Sequence, residues 1–202
     1  MIDSIVFDLG AVLIDWSPEY LYRDLIPDDR ERAYFLSEIC NHEWNIQQDA
    51  GRPWSEAVDE LTGKYPGYSR EIEAYWQEWP RMLGGSIAGT VEILEELAQN
   101  YDYRLLALTN WSAETWHFAE ERFAFLNRFE GILVSGEEKL KKPDPAIYQR
   151  LFSRFNLSAG SALFIDDNPD NVRAAETLGM KGIRFRDPDQ LRADLKASGL
   201  LK

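Results

Sequence analysis

The chain has one cysteine and two histidines in 202 residues. Cys40 has no second cysteine with which to close an intramolecular disulfide. His42 and His117 are too few and too far apart for a histidine-based metal cluster. Basic residues are also scarce, 22 Lys and Arg against 35 Asp and Glu, and the formal net charge is −13. A far field of that sign repels phosphate backbones and anionic lipid, so neither nucleic acid nor a membrane surface is an expected partner. No charge-free apolar run approaches the ~20 residues that a bilayer span requires. The opening residues MIDSIVFDLG carry neither a basic leader nor a long apolar stretch, which makes the cytoplasm the expected compartment. Any anionic substrate must then be held by a local device working against an unfavourable background.

What is present is a globular composition, 45% hydrophobic and 28% charged, sufficient for one domain of ordinary size or a core with a smaller insert. Short branched and aromatic runs predict strands over residues 5–7, 104–108, 131–134, 162–165 and 182–185. Helical spacing predicts helices over 90–99, 113–125, 145–155 and 171–178, the last stopped by Gly179. Alternation of this kind implies an α/β fold, a parallel sheet with helices on both faces. Residues 18–83 differ: they contain no strand-like run, and amphipathic segments over 28–39, 54–65 and 69–79 read as a helical insert. Trp44, Trp54, Trp76 and Trp79 lie there and are expected mainly to pack its core.

Three predicted strands end in chemically capable residues: Asp8, Thr109-Asn110 and Asp166-Asp167. In open parallel sheets ligands gather at the carboxyl ends of strands, so residues far apart in sequence can share one site. Asp8 opens a small turn through Gly10, and a carboxylate there with Asp166 and Asp167 makes a hard oxygen site suited to Mg²⁺. Three neighbouring carboxylates without a cation would repel one another. Lys142, in Lys-Pro-Asp-Pro, reads either as a solvated lysine at a helix start or as a point charge for a nucleophile and a phosphoryl oxygen. Trp16 and Trp111 stand beside these segments and are candidate pocket residues by position. Asp15 shares that position, and His117 lies on the helix expected beyond Asn110.

Taken together, FDLGAVLID, LTN at 108–110, KKPDPAIY at 141–148 and FIDDNPDNVRAAETLGM at 164–180 resemble the four ordered motifs of the haloacid dehalogenase superfamily. The insert falls where the class with a helical cap between the first two motifs carries that cap. In detail the chain is most similar to the subgroup containing bacterial sugar-phosphate phosphatases and the N-terminal phosphatase domain of soluble epoxide hydrolase. The resemblance implies a three-layer Rossmann-like core over 1–17 and 84–202 and a helical cap over 18–83. It implies a Mg²⁺-dependent hydrolase of a small phosphorylated metabolite such as a sugar phosphate, with Asp8 as the nucleophile that becomes a phospho-aspartate. Thr109 and the Asn110 N–H would bind phosphoryl oxygens, and Lys142 would orient Asp8. Asp8, the Gly10 carbonyl, Asp167 and Asp166 would hold the metal, with Asn171 shaping the loop.

The pattern departs at Gly10, where most phosphatases of this family carry the aspartate that protonates the leaving group. Loss of a positioned acid typically costs about 10²–10⁴-fold. Two rivals follow: a metal-independent 2-haloacid dehalogenase, and a weakened phosphate-binding regulatory module. The dehalogenases carry an aromatic residue at that position and lack the acidic pair, and retention of Asp8, Lys142 and Asp167 argues against the module.

Overall fold

Short, continuously buried runs build a central sheet in the computed structural model, which describes residues 1–202. The chain begins with β1 (Ser4–Phe7) and β2 (Ile14–Trp16). It then passes through α1 (Glu19–Leu25), α2 (Asp29–Tyr34), α3 (His42–Asp49), α4 (Trp54–Lys64) and α5 (Ser69–Gln77). It returns through β3 (Leu83–Ser86), α6 (Ala88–Asn100), β4 (Arg104–Thr109), α7 (Trp116–Arg122), β5 (Gly131–Val134), α8 (Ser135–Glu138) and α9 (Pro145–Phe155). The last elements are β6 (Ala162–Asp166), α10 (Pro169–Thr177), β7 (Lys181–Arg184) and α11 (Pro188–Ala197).

The five-stranded sheet runs β5-β4-β1-β6-β7 with every pairing parallel. Parallel strands need crossovers, and their helices cover both faces. On one face Val6, Leu106, Leu108 and Phe164 pack with Ile147 and Leu151 of α9 and Ala175 of α10. On the other Ile5, Phe7, Leu105 and Ile165 meet Ile93 and Leu97 of α6 and Leu191 and Leu195 of α11. This is the α/β architecture expected from the alternating pattern. The strand order reverses about β1, so the carboxyl ends of β1, β4 and β6 open side by side.

Residues 18–82 contain helices and no strand. Their core is aromatic: Trp44 meets Trp54 edge-on at 5.6 Å and Tyr75 at 5.2 Å, and Tyr22 lies 4.8 Å from Phe35. Cys40 is buried beside them, and burial pushes its thiol well above the ordinary range. Trp76 packs half-buried against the same core, whereas Trp79 stacks toward Trp111 at 5.1 Å.

Several elements differ from the sequence expectation. The helix expected over 113–125 is α7 followed by a 3₁₀ turn at Ala124–Arg128, because Phe123 turns extended and Phe125 and Leu126 are drawn into the core. The segment 28–39 is α2, capped by the Asp28 carboxylate, running into a π-helical turn at Phe35–Ile39. The segment 69–79 stops as α5 at Gln77 and continues as a 3₁₀ turn at Trp79–Met82. Helix α10 starts at Pro169, two residues before the expected position, because Asn168 caps it. Four helices that the sequence expectation did not include, α1, α3, α8 and α11, are present, as is an antiparallel ribbon pairing β2 with β3. The ribbon joins the two crossings between sheet and helical segment. At Gly84 a Cβ would lie 2.3 Å from Asp15 Oδ2 and 2.8 Å from Tyr20 Cε2, so a larger residue there would displace that side-chain pair. No helix is long and apolar enough to cross a membrane.

Candidate active site

Asp8 directly follows β1, and its N–H still donates to Ile165 O of β6 at 2.8 Å, which fixes its backbone to the sheet. Beyond it the chain folds into a tight turn, with the N–H groups of Leu13 and Ile14 both donating to Leu9 O at 2.8 Å and Ala11 at φ 57°. The Asp8 Oδ1 atom accepts from the Leu9 N–H at 2.7 Å and pairs with Lys142 Nζ at 2.8 Å. Oδ2 has no protein partner.

Lys142 is 1% exposed and not the solvated lysine that its local sequence allows. Its ammonium donates to Asp166 Oδ2 at 2.7 Å and to Leu108 O at 3.0 Å in addition to Asp8. All three donors are therefore used, which suits a compact ammonium in a buried position. The lysine reaches this depth because Asn110 clamps its backbone: the Asn110 side chain donates to Lys142 O at 3.1 Å and accepts from Lys142 N at 2.8 Å. Thr109, at the end of β4, has a buried hydroxyl with no hydrogen-bond partner.

Asp166 and Asp167 separate into different environments. Asp166 is fully buried, and besides Lys142 it accepts from Asn171 Nδ2 at 3.0 and 3.1 Å and from the Asn168 N–H at 2.8 Å. Asn171 thus holds Asp166 directly. Asp167 lines the cavity above. One oxygen each from Asp8, Asp166 and Asp167 lie within 4.8 Å of one another.

That grouping sets the electrostatics. Burial, only partly opposed by Lys142 and reinforced by Asp166 and Asp167, pushes the Asp8 carboxyl up to about 8. Burial, with Asp166, also raises Asp167. Burial disfavours the Lys142 ammonium, but Asp166 and Asp8 outweigh it and hold the lysine charged above its usual range. Three carboxylates thus share one ammonium, and Asp8 is the one that burial pushes toward keeping its proton. A hard, oxygen-only donor set short of positive charge fits a divalent cation such as Mg²⁺, which would take the place of that proton.

The cavity over these groups has a volume of about 340 Å³. Asp8, Gly10, Lys142 and Asp167 form its floor. The indoles of Trp16, Trp79 and Trp111 and the side chain of Ile46 supply an apolar wall. The indole N–H groups of Trp16 and Trp111 are buried without partners. Helix α3 contributes His42, Asn45 and Asp49.

Of the sequence candidates, Asp8, Gly10, Asp167, Lys142, Asn110, Asn171, Trp16 and Trp111 border one cavity, while Asp166 and Thr109 lie beneath its surface. Asp15 is engaged elsewhere, accepting from Tyr20 OH at 2.7 Å, and His117 packs on Phe118. Sequence reading did not single out Asn45, Ile46 or Asp49, because α3 lacks the periodic apolar stripe that marks the other helices; its buried residues are Trp44, Asn45 and Gln48.

Comparison with known proteins places the chain. A family profile described as haloacid dehalogenase-like hydrolase matches residues 38–185. The sesquiterpene phosphatase astK of Aspergillus oryzae is 28% identical over 90% of this chain and 89% of its own length. Drimenol cyclase drtB of Aspergillus calidoustus is 24% identical over 96% of this chain, which spans only 36% of that longer protein. Among solved structures, an HAD family enzyme of Bacteroides thetaiotaomicron in complex with magnesium and inorganic phosphate superposes with a TM-score of 0.71 at 22% identity. It covers 93% of this chain and 96% of its own. The L-2-haloacid dehalogenase of Xanthobacter autotrophicus has the same fold at a TM-score of 0.63 and 17% identity, over 100% of this chain and 85% of its own. With more than half its length matched by the family profile, and with this sheet and these relatives, the chain belongs to the haloacid dehalogenase-like hydrolases.

Proposed function

We propose that the protein is a phosphatase that hydrolyses a small phosphorylated metabolite, a sugar phosphate being one candidate, through a phospho-aspartate on Asp8. The observation that carries the reading is Asp8 itself: anchored at the end of β1, paired through Oδ1 to a fully buried lysine, with its second oxygen unengaged beside the cavity. Pairing with Lys142 orients the carboxylate and leaves Oδ2 for attack on phosphorus. Lys142 stays protonated and partly neutralises the phosphoryl group. The unpartnered Thr109 hydroxyl and the Asn110 N–H at the end of β4 serve phosphoryl oxygens. Asp8, the Gly10 carbonyl and Asp167 would hold Mg²⁺, with Asp166 bound to Lys142 and Asn171 contributing behind them. Bound there, the ion would supply positive charge to the carboxylates and the transferring oxygens.

In the same reading, residues 18–83 act as a cap and residues 1–17 with 84–202 as the core. Helix α3 and Trp79 of the cap contribute much of the cavity wall, so the cap selects the substrate and excludes water during chemistry. The dehalogenase alternative suits the cavity poorly, because a haloacid carboxylate would enter among Asp8, Asp166 and Asp167. The test is phosphate release from p-nitrophenyl phosphate and a panel of sugar phosphates with Mg²⁺ and with EDTA. The expected result is Mg²⁺-dependent release that disappears in Asp8→Asn. EDTA-insensitive halide release from 2-chloropropionate would overturn the reading in favour of the dehalogenase, and neither activity would favour a binding module.

A further inference from the structure

Position 10 has no side chain with which to protonate a leaving group, and the space beside it is open: a Cβ on Gly10 would meet nothing within 4 Å. Unless water supplies it, the proton for an alkoxide leaving group has to come from another group bordering the cavity. Asp8 and Asp167 belong to the carboxylate cluster on the floor, and Lys142 has all its donors committed. Besides His42, which is exposed at the start of α3, the remaining acids on the wall are Asp49 on α3 and Asp170 on α10. Asp170 is exposed and engaged with Arg173. Asp49 is different in each respect.

Asp49 is placed by the core although it belongs to the helical segment. Its carbonyl accepts from Ser135 Oγ at 2.5 Å, and the same Oγ accepts from the Trp111 N–H at 2.9 Å. The chain then turns at Gly51, φ +92°, where a Cβ would lie 2.9 Å from Lys139 Cγ and 3.1 Å from Gly136 O. Just beyond, Trp54 Nε1 donates to Ser112 Oγ at 3.0 Å and the Trp54 N–H to Glu114 at 3.0 Å. The Asp49–Trp54 turn is thereby latched to the loop that follows Thr109 and Asn110. Its carboxylate makes one long hydrogen bond within the helix, from Asn45 Nδ2 at 3.4 Å. Burial raises the Asp49 carboxyl to about 7, against the pull of Lys141, the Ser112 N–H and Lys142. A carboxyl that keeps its proton near neutrality is suited to donate it.

We propose that Asp49 is the general acid of this enzyme, supplying from the cap the proton that position 10 cannot. In the first half-reaction Asp8 Oδ2 bonds to phosphorus, and the bond from phosphorus to the ester oxygen breaks. The electron pair stays on that oxygen, and the Asp49 proton moves to it, giving the free alcohol and an Asp49 carboxylate. In the second, a water oxygen bonds to phosphorus as the acyl phosphate bond breaks, the water proton passes to solvent, Asp49 regains a proton from solvent, and inorganic phosphate and both starting carboxyl groups are restored. Since the donor sits on the cap, proton transfer occurs only when the cap is seated on the core.

This inference rests on the phosphatase reading, and the test separates the two. Wild type, Asp49→Asn and Asp8→Asn are assayed with Mg²⁺ on two esters of similar size, p-nitrophenyl phosphate and benzyl phosphate. Nitrophenolate leaves without a proton and benzyl alkoxide does not. Asp49→Asn is expected to lower kcat on benzyl phosphate by about 10²–10⁴-fold and to leave p-nitrophenyl phosphate within about threefold of wild type. Asp8→Asn should abolish both. Gly10→Asp, which the open space admits, should restore benzyl phosphate turnover when combined with Asp49→Asn. Equal losses on the two esters, or no loss on either, would overturn the role of Asp49 while leaving the phosphatase standing. The same holds for a wild type that cleaves only the nitrophenyl ester. A wild type inactive on both takes down the phosphatase reading itself. Unchanged near-ultraviolet circular dichroism in Asp49→Asn identifies its loss as chemical; a collapsed spectrum passes the decision to the Asp49→Glu variant, which keeps the acid and must retain the leaving-group preference.

Discussion

Lys142 is the residue whose environment departs most from its local sequence. In isolation Lys-Pro-Asp-Pro begins a helix with a lysine in solvent, and α9 does begin there, capped by Asp144. The lysine turns inward because Asp8, Asp166 and Leu108 O together offer it more than water does. Asp8 and Asp166 in turn pair with no other cationic side chain. Removing one partner of a buried ion pair typically costs about 3–5 kcal/mol, since the remaining charge stays desolvated. Lys142→Met keeps most of the stem and removes the charge, so its unfolding free energy in urea without metal should fall by an amount of that order, and the midpoint with it. Excess Mg²⁺ should recover part of the loss, because the cation addresses the same carboxylates. Turnover should fall by at least about 10²-fold with or without that recovery, because in the proposed mechanism the ammonium also faces the phosphoryl group. A midpoint equal to wild type in EDTA would contradict the three-way pairing at this lysine.

At the scale of elements, what was legible in the sequence followed from how each element is stabilised. The three central strands β1, β4 and β6 are buried on both faces, so runs such as Ile5-Val6-Phe7 and Leu105-Leu106-Ala107-Leu108 announce themselves. Asp8, Thr109 and Asp166 were legible with them because a strand end fixes where its terminal side chain stands. The ribbon of β2 and β3 was not, since Leu83-Gly84-Gly85-Ser86 has no strand character until Ile14–Trp16 lies beside it. Helix α3 was hidden by polar residues on its buried face, and Asp49 with it; its position at the cavity depends on contacts with Ser135, Gly136 and Lys139, far along the chain. The same contact zone makes a prediction about α8. A Cβ on Gly136 would lie 2.4 Å from Ala113 N and 2.8 Å from Trp111 O, both backbone atoms with little freedom to yield. Overpacking of that kind costs about 1–3 kcal/mol. Gly136→Ala should therefore lower the thermal midpoint and raise KM for phosphate esters by displacing the loop that carries Asn110. Gly160→Ala, where a Cβ meets nothing within 4 Å, serves as the control and should change neither.

The whole molecule sets a different problem for an anionic substrate. The net charge is −13, and the cavity adds Asp8, Asp49, Asp167 and Asp170 against Lys142. Attraction is confined to the few ångströms around a lysine and the divalent ion that the carboxylates fit, while repulsion extends over the entire surface. Screening therefore acts unequally on the two. At about 0.1 M salt the Debye length is ~10 Å, long compared with a contact at the cavity floor and short compared with the distance to most surface carboxylates. Added monovalent salt should weaken the repulsion seen by an approaching phosphate ester and leave the buried contacts nearly untouched. The expected outcome, at saturating Mg²⁺, is that kcat/KM for p-nitrophenyl phosphate rises between about 10 and about 150 mM NaCl while kcat stays level. Proteins that attract phosphate through a basic surface show the opposite slope. A fall in kcat/KM over that range would mean that the cavity mouth projects positive potential despite the net charge, and that the floor is not the only place where the substrate is attracted.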